Sequence, residues 1–389
     1  MGATDPRTLT NTLTLLKFSS VMISEQILSL PIEKKIGQLF FIGLPGADID
    51  EASAKLLEEI SPGGICLFAR NIREGAQTRG LLDDIRSRLK VLPFLSVDQE
   101  GGLVDRLKRV LTPMPAASTI KTPQDAETLA KIIAEALLIL GFNMDFAPVV
   151  DVIDETRSRP NNGLYSRGFG RSAKEVAELA GQFLSTLQEN GCLGCLKHFP
   201  GLGASEVDSH AELPAVELTD NELSETDLAP YREIFRSQVP GAVMIAHACF
   251  PKSDLQEADQ NGKLLPSSLS YNFVTKLLRE RMGFNGLVLT DDLEMGAILK
   301  NYGIGEACVM AVLAGEDMLS ICANCDAVRE GYSAVLAAVK HGRISEARLD
   351  ASLLRIAAAK SLLAAPVEFS TPRLLELSTR IATLNQNLN

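Results

Sequence analysis

A glycine-containing segment in the middle of the chain carries the residue types that proton transfer requires. It reads Lys-His-Phe-Pro-Gly-Leu-Gly over 197–203 and is followed by Asp208-Ser209-His210. In an extended segment, side chains two residues apart point the same way, so the Asp208 carboxylate can accept a hydrogen bond from the His210 imidazole. That bond would fix the imidazole tautomer and make His210 a candidate acid/base residue. A loop-capping motif is the alternative interpretation, and the glycines indicate a mobile or tightly turned loop.

A second stretch, Leu-Thr-Asp-Asp-Leu-Glu-Met-Gly over 289–296, places two carboxylates at the end of an apolar run. An aspartate at such a point can act as a nucleophile, a base or a metal ligand. Asp291 is the better candidate for chemistry, whereas Asp292 is expected to cap the helix that follows.

The elements that must position these residues alternate along the chain as short apolar runs and amphipathic helical stretches. Apolar runs buried on both faces are typical of a parallel sheet covered by helices. The eight candidate strands cover 37–45, 63–70, 93–98, 143–152, 191–199, 241–249, 286–292 and 315–322. Eight β/α units predict a single α/β domain, a (β/α)8 TIM-type barrel. A doubly wound open sheet is the alternative, but no G-x-G-x-x-G follows the first strand.

Polar residues cluster where the candidate strands end, which in a barrel is the face that carries the active site. The strand ends are Asp98-Gln99-Glu100, Asp151, Lys197-His198, His247 and Asp291-Asp292. One charged residue at the end of a strand needs no functional explanation. Five strands that end in Lys, His and Asp together indicate a catalytic face.

The composition excludes several other classes of protein. The 389 residues carry a net charge of −11, from 38 Lys and Arg against 49 Asp and Glu, so a nucleic-acid or anionic-membrane surface is not expected. The sequence contains no Trp and 5% aromatic residues, which disfavours a long groove of stacked aromatic platforms. It also has no apolar run of transmembrane length.

The seven cysteines are expected to be free thiols of a cytoplasmic protein. Cys192/Cys195 and Cys322/Cys325 have the C-x-x-C spacing of zinc ligands. An odd offset in a strand points the first pair to opposite faces, so no metal is expected.

The domain boundaries follow from the same pattern. Residues 1–21 make a poor signal peptide and are expected to form a disordered extension, with Met22 as an alternative start. The catalytic barrel is expected over 22–365, with its final helix at 344–364, and 366–389 as a C-terminal tail.

Several motifs in one order resemble glycoside hydrolase family 3. They are F-A-R-N (68–71), D-Q-E-G-G (98–102), S-R-G-F-G (166–170), K-H-F-P-G-x-G with D-S-H (197–210) and T-D-D-L-x-M-G-A (290–297). The resemblance runs from about residue 30 to about residue 360 and is strongest to the single-domain β-N-acetylglucosaminidases of bacterial cell-wall recycling. It implies a cofactor-free enzyme that removes terminal, non-reducing β-linked N-acetylglucosamine, usually from muropeptides.

The resemblance also assigns roles to individual residues. Asp291 matches the nucleophile that forms a covalent glycosyl-enzyme, His210 matches the acid/base, and Asp208 matches the partner of that histidine. The positions that hold sugar hydroxyls in the family are matched by Asp98, Arg167, Lys197 and His198.

Two residues depart from the family pattern. Leu202 stands where the family loop has His, and Leu103 stands where Arg usually follows D-Q-E-G-G. Neither matches the nucleophile or the acid/base, so the departures bear on loop dynamics and on substrate preference.

Three other functions stay open at this point. A β-glucosidase or a glycoside phosphorylase of the same family is one, since a histidine acid/base lacks the negative charge that repels phosphate. A sugar-binding protein without catalysis is the second, and a metal-dependent hydrolase built on His198, His210 and Asp291 is the third. The expected partner is a small sugar substrate, without nucleic acid or membrane, and the expected assembly is a monomer or a weak homodimer.

Overall fold

Eight parallel strands close into a barrel in a computed structural model of the chain, which describes residues 21–158, 163–207, 209 and 211–388. The barrel strands are β1 (Phe40–Gly43), β2 (Gly64–Leu67), β3 (Phe94–Val97), β6 (Met144–Asp145), β7 (Leu193–Phe199), β8 (Ala242–Ile245), β9 (Leu287–Asp292) and β10 (Met318–Ile321). Each strand pairs with the next in chain order, and β10 pairs with β1 to close the ring. The (β/α)8 barrel expected from the sequence is confirmed, and each of the eight candidate strands contains one barrel strand.

The helices fill the connections and the outside of the barrel. They cover residues 21–28, Ile32–Gly37, Glu51–Ile60, Gly75–Arg88, Pro123–Leu140, Ala173–Glu189, Asp220–Glu222, Leu223–Asp227, Leu228–Ser237, Asn272–Arg281, Gly296–Leu299, Ile304–Ala314, Cys325–Lys340, Glu346–Lys360 and Thr371–Leu388, with short turns of helix at Ala117–Thr119 and Ser267–Leu269. Among the described residues, no helix is long and apolar enough to cross a membrane.

The strands are buried on both faces because helices cover the barrel outside and side chains fill its inside. All four residues of β1, β2, β3, β8 and β10 are buried. Inside, the Phe41 ring packs against Phe94 at 5.7 Å and against Phe146 at 5.3 Å between ring centroids. The barrel is therefore a packed core, and a ligand can enter only at one of its two ends.

A small hairpin follows β3 and extends the barrel mouth. Its strands, β4 (Gln99–Gly101) and β5 (Val104–Asp105), are antiparallel. The buried Gln99 side chain donates to the Asp105 carboxylate at 2.9 Å and accepts from the Leu107 amide at 3.0 Å. These bonds hold the hairpin closed, so Gln99 has a structural role although it lies between two carboxylates.

The segment expected to be a C-terminal tail contains the helix Thr371–Leu388, which packs against the helix Pro123–Leu140. Its buried side chains are Leu374, Leu377, Ile381 and Leu384, spaced three and four residues apart as on one face of a helix. The helix Glu346–Lys360 is therefore not the last one. The expected N-terminal extension lies, apart from Val21, outside the described residues.

Candidate active site

A pocket of about 180 Å³ opens at the carboxyl ends of the strands. Five residues expected from the sequence to form the site line it together: Asp98, Arg167, Lys197, His198 and Asp291. They come from the end of β3, the connection after β6, the strand β7 and the end of β9. Ligand pockets commonly enclose about 300–1,000 Å³, so this one suits a single small unit better than a long polymer.

Glu100 lies at the centre of the charged residues on one side of this pocket. Its carboxylate oxygens accept from Arg167 Nε at 2.8 Å and from Arg167 Nη2 at 2.9 Å. Lys197 Nζ lies 2.6 Å from Glu100 Oε1 and 2.7 Å from Asp98 Oδ1. A buried carboxylate between two cations therefore fixes the donors that face the pocket.

Electrostatics keeps these groups ionised in spite of their burial. Burial alone would raise the pKa of Glu100, but the charges of Arg167 and Lys197 hold that pKa far below its ordinary value. Burial would likewise lower the pKa of Lys197, yet Asp98 and Glu100 raise it above its ordinary value. The cluster thus presents fixed charges and bond donors to a ligand, not a group that exchanges protons near neutral pH.

His198 is oriented by Asp151, which is itself fully buried. His198 Nδ1 lies 2.8 Å from Asp151 Oδ2, while the Leu202 amide donates to Asp151 Oδ1 at 2.6 Å. The other ring nitrogen, Nε2, lies 3.5 Å from Arg167 Nη2. Because guanidinium can only donate, this arrangement makes Nδ1 the protonated nitrogen and Nε2 the acceptor.

Asp291 is held at the end of β9 by the turn that follows it. Its Oδ1 accepts the amide of Asp292 at 2.8 Å. The Asp292 carboxyl accepts from the Glu294 amide at 3.0 Å, and burial raises the pKa of Asp292 to about 7. The expectation that Asp292 caps the following helix is wrong, because the N-cap residue of Gly296–Leu299 is Met295. Asp292 instead closes the turn that follows β9.

His247 supports this strand end from the segment that follows the neighbouring strand β8. Its Nε2 donates to the Asp292 carbonyl at 3.1 Å, and its Nδ1 accepts from the Ser268 hydroxyl at 2.7 Å. Burial lowers the pKa of His247, which favours the neutral ring that these two bonds need. His247 is therefore a positioning residue for the segment that carries Asp291.

The loop after β7 is tightly turned at its start. Gly201 has φ +138°, and a Cβ there would lie 2.5 Å from Asp227 Cβ. A Cβ on Gly203 would lie 2.3 Å from the Val152 carbonyl oxygen. Only glycine fits at both positions. The loop that continues from these two glycines lines the pocket.

Ser205, Val207 and Ser209 of this loop line the pocket wall. The Ser209 carbonyl also accepts from the Ala297 amide at 3.2 Å, just beyond the strand that ends in Asp291. The expected acid/base pair, Asp208 and His210, lies outside the described residues.

The two departures from the family pattern lie in different places. Leu202 is buried and lines the pocket, where its amide holds Asp151. Leu103, by contrast, is 55% exposed at the tip of the hairpin. Leu202 is thus the departure that bears on the site.

Sequence reasoning missed the parts played by Glu100 and Asp151. Asp98 and Glu100 are two residues apart, and that spacing was a usable signal for placing both carboxylates together. Asp151 was visible as a polar strand end.

The seven cysteines are free thiols in the part of the chain that the structure describes. Cys192 and Cys195 are buried free thiols, and burial raises the pKa of each. In the described ranges, no three His, Cys, Asp or Glu side chains are grouped as metal ligands would be.

The fold and the pocket define a (β/α)8-barrel protein with a strand-end aspartate beside a cluster of hydrogen-bonding side chains. Residues 31–359 match the glycosyl hydrolase family 3 N-terminal domain. The protein therefore belongs to glycosyl hydrolase family 3, as the motifs indicated.

Known relatives extend this finding. Beta-hexosaminidase A of Pseudoalteromonas piscicida is 32% identical over 332 residues, 80% of this chain and 55% of that protein, so the chain spans about half its length. The beta-hexosaminidase of Tolumonas auensis is 30% identical over 79% of this chain and 88% of that protein. A glycoside hydrolase family 3 β-N-acetylglucosaminidase from Paenibacillus sp. str. FPU-7 superposes with a TM-score of 0.81 at 35% identity, covering 92% of this chain and 69% of that one.

Replacing Glu100 by Gln is expected to destabilise the fold by about 3–5 kcal/mol, because it leaves two buried cations without their shared counter-ion. The variant should show its full loss of stability relative to the wild type above about pH 4, the ordinary range of a glutamate pKa. This difference in stability should become smaller as the pH falls below that value. The reason is that, as the pH falls, the Glu100 carboxylate takes up a proton in the unfolded wild-type chain before it does so in the folded protein. The stabilisation that ionised Glu100 gives to the folded state is thereby lost. Urea unfolding at pH 7 and at about pH 3.5 measures both effects.

Glu306→Gln is the matched control, since Glu306 forms a two-bond pair with Arg343 whose side chains are each 49% exposed. An exposed pair contributes about 0–1 kcal/mol. Equal losses of stability in the two variants would show that Glu100 is not a central contact.

Proposed function

We propose that the chain is a retaining exo-β-N-acetylglucosaminidase that acts through a covalent intermediate on Asp291. The observation that carries the proposal is one small pocket in which the strand-end Asp291 lies with all four residues expected to bind sugar hydroxyls. The names of the relatives, beta-hexosaminidase and β-N-acetylglucosaminidase, support the substrate class.

The charged cluster supplies the contacts that a sugar ring needs. Two of the three Lys197 N–H donors are taken by Asp98 and Glu100, which leaves one for a hydroxyl. Asp98 is 17% exposed toward the pocket, so its carboxylate can accept from a second hydroxyl. A pocket of about 180 Å³ admits one ring, which favours removal of a terminal unit.

In the first step, the Asp291 carboxylate attacks the anomeric carbon while the bond to the leaving oxygen breaks. His210 donates a proton to that oxygen, and an ester forms between the sugar and Asp291. In the second step, His210 takes a proton from water, which attacks the same carbon and releases Asp291. Two inversions leave the configuration unchanged.

The place of the histidine in this scheme is supported by its chain neighbour. Ser209, between Asp208 and His210, lines the pocket and is bonded to the segment after β9. Asp208 would accept from one ring nitrogen of His210 and leave the other for proton transfer. A loop-borne acid/base residue can reach the glycosidic oxygen when sugar is bound, which couples binding to chemistry.

The proposal extends to muropeptide fragments as the natural substrate, to a cytoplasmic location and to a monomer or weak homodimer. These extensions rest on the family resemblance of the motifs and on the free cysteines.

Asp291→Ala is expected to lower kcat on a chromogenic β-N-acetylglucosaminide by on the order of 10⁴–10⁶-fold, because the bond-forming group is lost. Added azide should restore turnover and give the α-glycosyl azide, since the small anion attacks from the face that the carboxylate vacated. Release of nitrophenol and the anomer of the azide product are the measurements.

Asp326→Ala is the control, since the Asp326 side chain is 91% exposed and outside the pocket. Full activity in Asp291→Ala, or no turnover by the wild type, would overturn the proposal. Formation of a sugar 1-phosphate in phosphate buffer would instead identify a phosphorylase.

His210→Ala is expected to lower kcat/KM by about 10²–10⁴-fold on substrates whose leaving group needs a proton. The loss should shrink with a strongly acidic phenol as leaving group, because such a phenolate departs unprotonated. A series of aryl N-acetylglucosaminides of graded leaving-group acidity measures this dependence. His341→Ala serves as the control, since His341 is exposed at the end of the helix Cys325–Lys340. A loss that is the same for every leaving group would contradict the acid role.

A further inference from the structure

Two cysteines line the wall of the pocket that holds Asp291. They are Cys66, in β2, and Cys322, directly after β10, and both are free thiols. Neither takes part in the proposed hydrolysis. Because the pocket opens at the barrel mouth, a small reagent can reach both thiols, although the exposed fractions of the two residues are only 1% and 4%.

Gly43 allows the two cysteines to come together. It lies on β1, the strand between β2 and β10, and its register partner on β2 is Cys66. On the other side, a Cβ on Gly43 would lie 2.9 Å from the Cα of Cys322 and 1.9 Å from its carbonyl oxygen. Because this position has no side chain, the backbone at Cys322 lies directly against β1, one strand away from Cys66.

The two thiols are in contact beside this glycine. A hydrogen bond with the Cys66 thiol, together with burial, raises the pKa of the Cys322 thiol well above its ordinary value. The negative charges of Asp292 and Asp98 act in the same direction. A thiol held neutral is a poor first nucleophile, so Cys322 is suited to react second, with a partner that has already been oxidised.

The segment after β10 is also bonded to the turn that follows the strand of the nucleophile. Glu294 Oε1 accepts the Asn324 amide at 3.0 Å, and Glu294 Oε2 accepts the Ala323 amide at 2.5 Å. An S–S bond brings two sulfur atoms closer than a hydrogen bond between thiols does. Cys322 lies beyond the end of its strand, so we expect it to be the residue that moves. That movement is transmitted through Glu294 to the turn that begins at Asp291.

We propose that Cys66 and Cys322 form an oxidisable thiol pair through which hydrogen peroxide reversibly lowers the activity of the enzyme. Peroxide oxidises the Cys66 thiol to a sulfenic acid, and one water is released. The Cys322 thiol then attacks that sulfur, the S–S bond forms, and the sulfenic oxygen leaves as a second water with the thiol proton. The two thiols thus lose two protons and two electrons, and one peroxide is reduced to two waters. The effect on activity rests on the proposed function, whereas the thiol pair itself does not.

The test treats the reduced enzyme with hydrogen peroxide and follows both its mass and its activity. In the wild type, we expect the loss of two hydrogens and a disulfide-linked pair of peptides that contain Cys66 and Cys322. The value of kcat/KM on a chromogenic β-N-acetylglucosaminide should fall by about 10–100-fold, because a small displacement of a reacting group is costly. Dithiothreitol should restore both the mass and the activity.

Single substitutions identify the two thiols. Cys66→Ala and Cys322→Ser should each fail to form the linked peptides, and each should keep its own untreated activity after peroxide. Cys325→Ser is the matched control, since Cys325 has C-x-x-C spacing from Cys322 but does not line the pocket in the described chain. This control should respond as the wild type does. If it fails to respond, Cys322 pairs with Cys325 and the proposal is wrong.

The two readouts separate the thiol pair from the proposed function. Turnover by the untreated wild type tests the function, and the linked peptides test the thiol pair even without turnover. A loss of activity that dithiothreitol does not restore would indicate oxidation of Met244 or Met295, which also line the pocket, and would contradict the proposal. So would a wild type without linked peptides, or linked peptides formed in an active wild type without a loss of activity.

Discussion

The site depends on one buried carboxylate, Glu100, held between Arg167 and Lys197. The three residues come from the hairpin after β3, the connection after β6 and the strand β7, so the ion pairs tie three separate parts of the barrel mouth together. Desolvating three charges is costly, and the geometry must repay that cost with two bonds to the guanidinium and one to the ammonium. The donors that face the pocket are consequently fixed before a ligand binds, which is the preorganisation that binding and catalysis need.

The residues proposed to react lie near this fixed cluster on two kinds of element, a rigid strand end and a loop. Asp291 is held by the turn after β9, and His247, just beyond the neighbouring strand β8, donates to the carbonyl of Asp292. The proposed acid/base pair belongs instead to the loop after β7, whose first turn is fixed by Gly201 and Gly203. A nucleophile must lie in line with the anomeric carbon, whereas a proton donor needs only to reach the leaving oxygen. The nucleophile must therefore be held more rigidly than the proton donor.

Most of the fold was predictable, because eight apolar runs spaced by helices have few other solutions than a parallel barrel. Strand ends also identified Asp98, Lys197, His198 and Asp291, since the carboxyl ends of parallel strands meet at one face. The helix Thr371–Leu388 was overlooked although its leucines and isoleucine repeat at helical spacing. The central role of Glu100 could not be predicted, for a different reason. Whether a charged side chain has a partner depends on residues distant in sequence, such as Arg167 for Glu100, and no local pattern carries that information.

The anomer that the wild-type enzyme first releases tests the central claim most directly. Hydrolysis of an aryl β-N-acetylglucosaminide is followed by proton NMR in D₂O, with spectra recorded faster than the free sugar interconverts. A covalent intermediate on Asp291 predicts that β-N-acetylglucosamine appears first. The α-anomer should appear later, as the released sugar interconverts in solution. Initial release of the α-anomer would mean a single displacement by water, and would contradict the role assigned to Asp291.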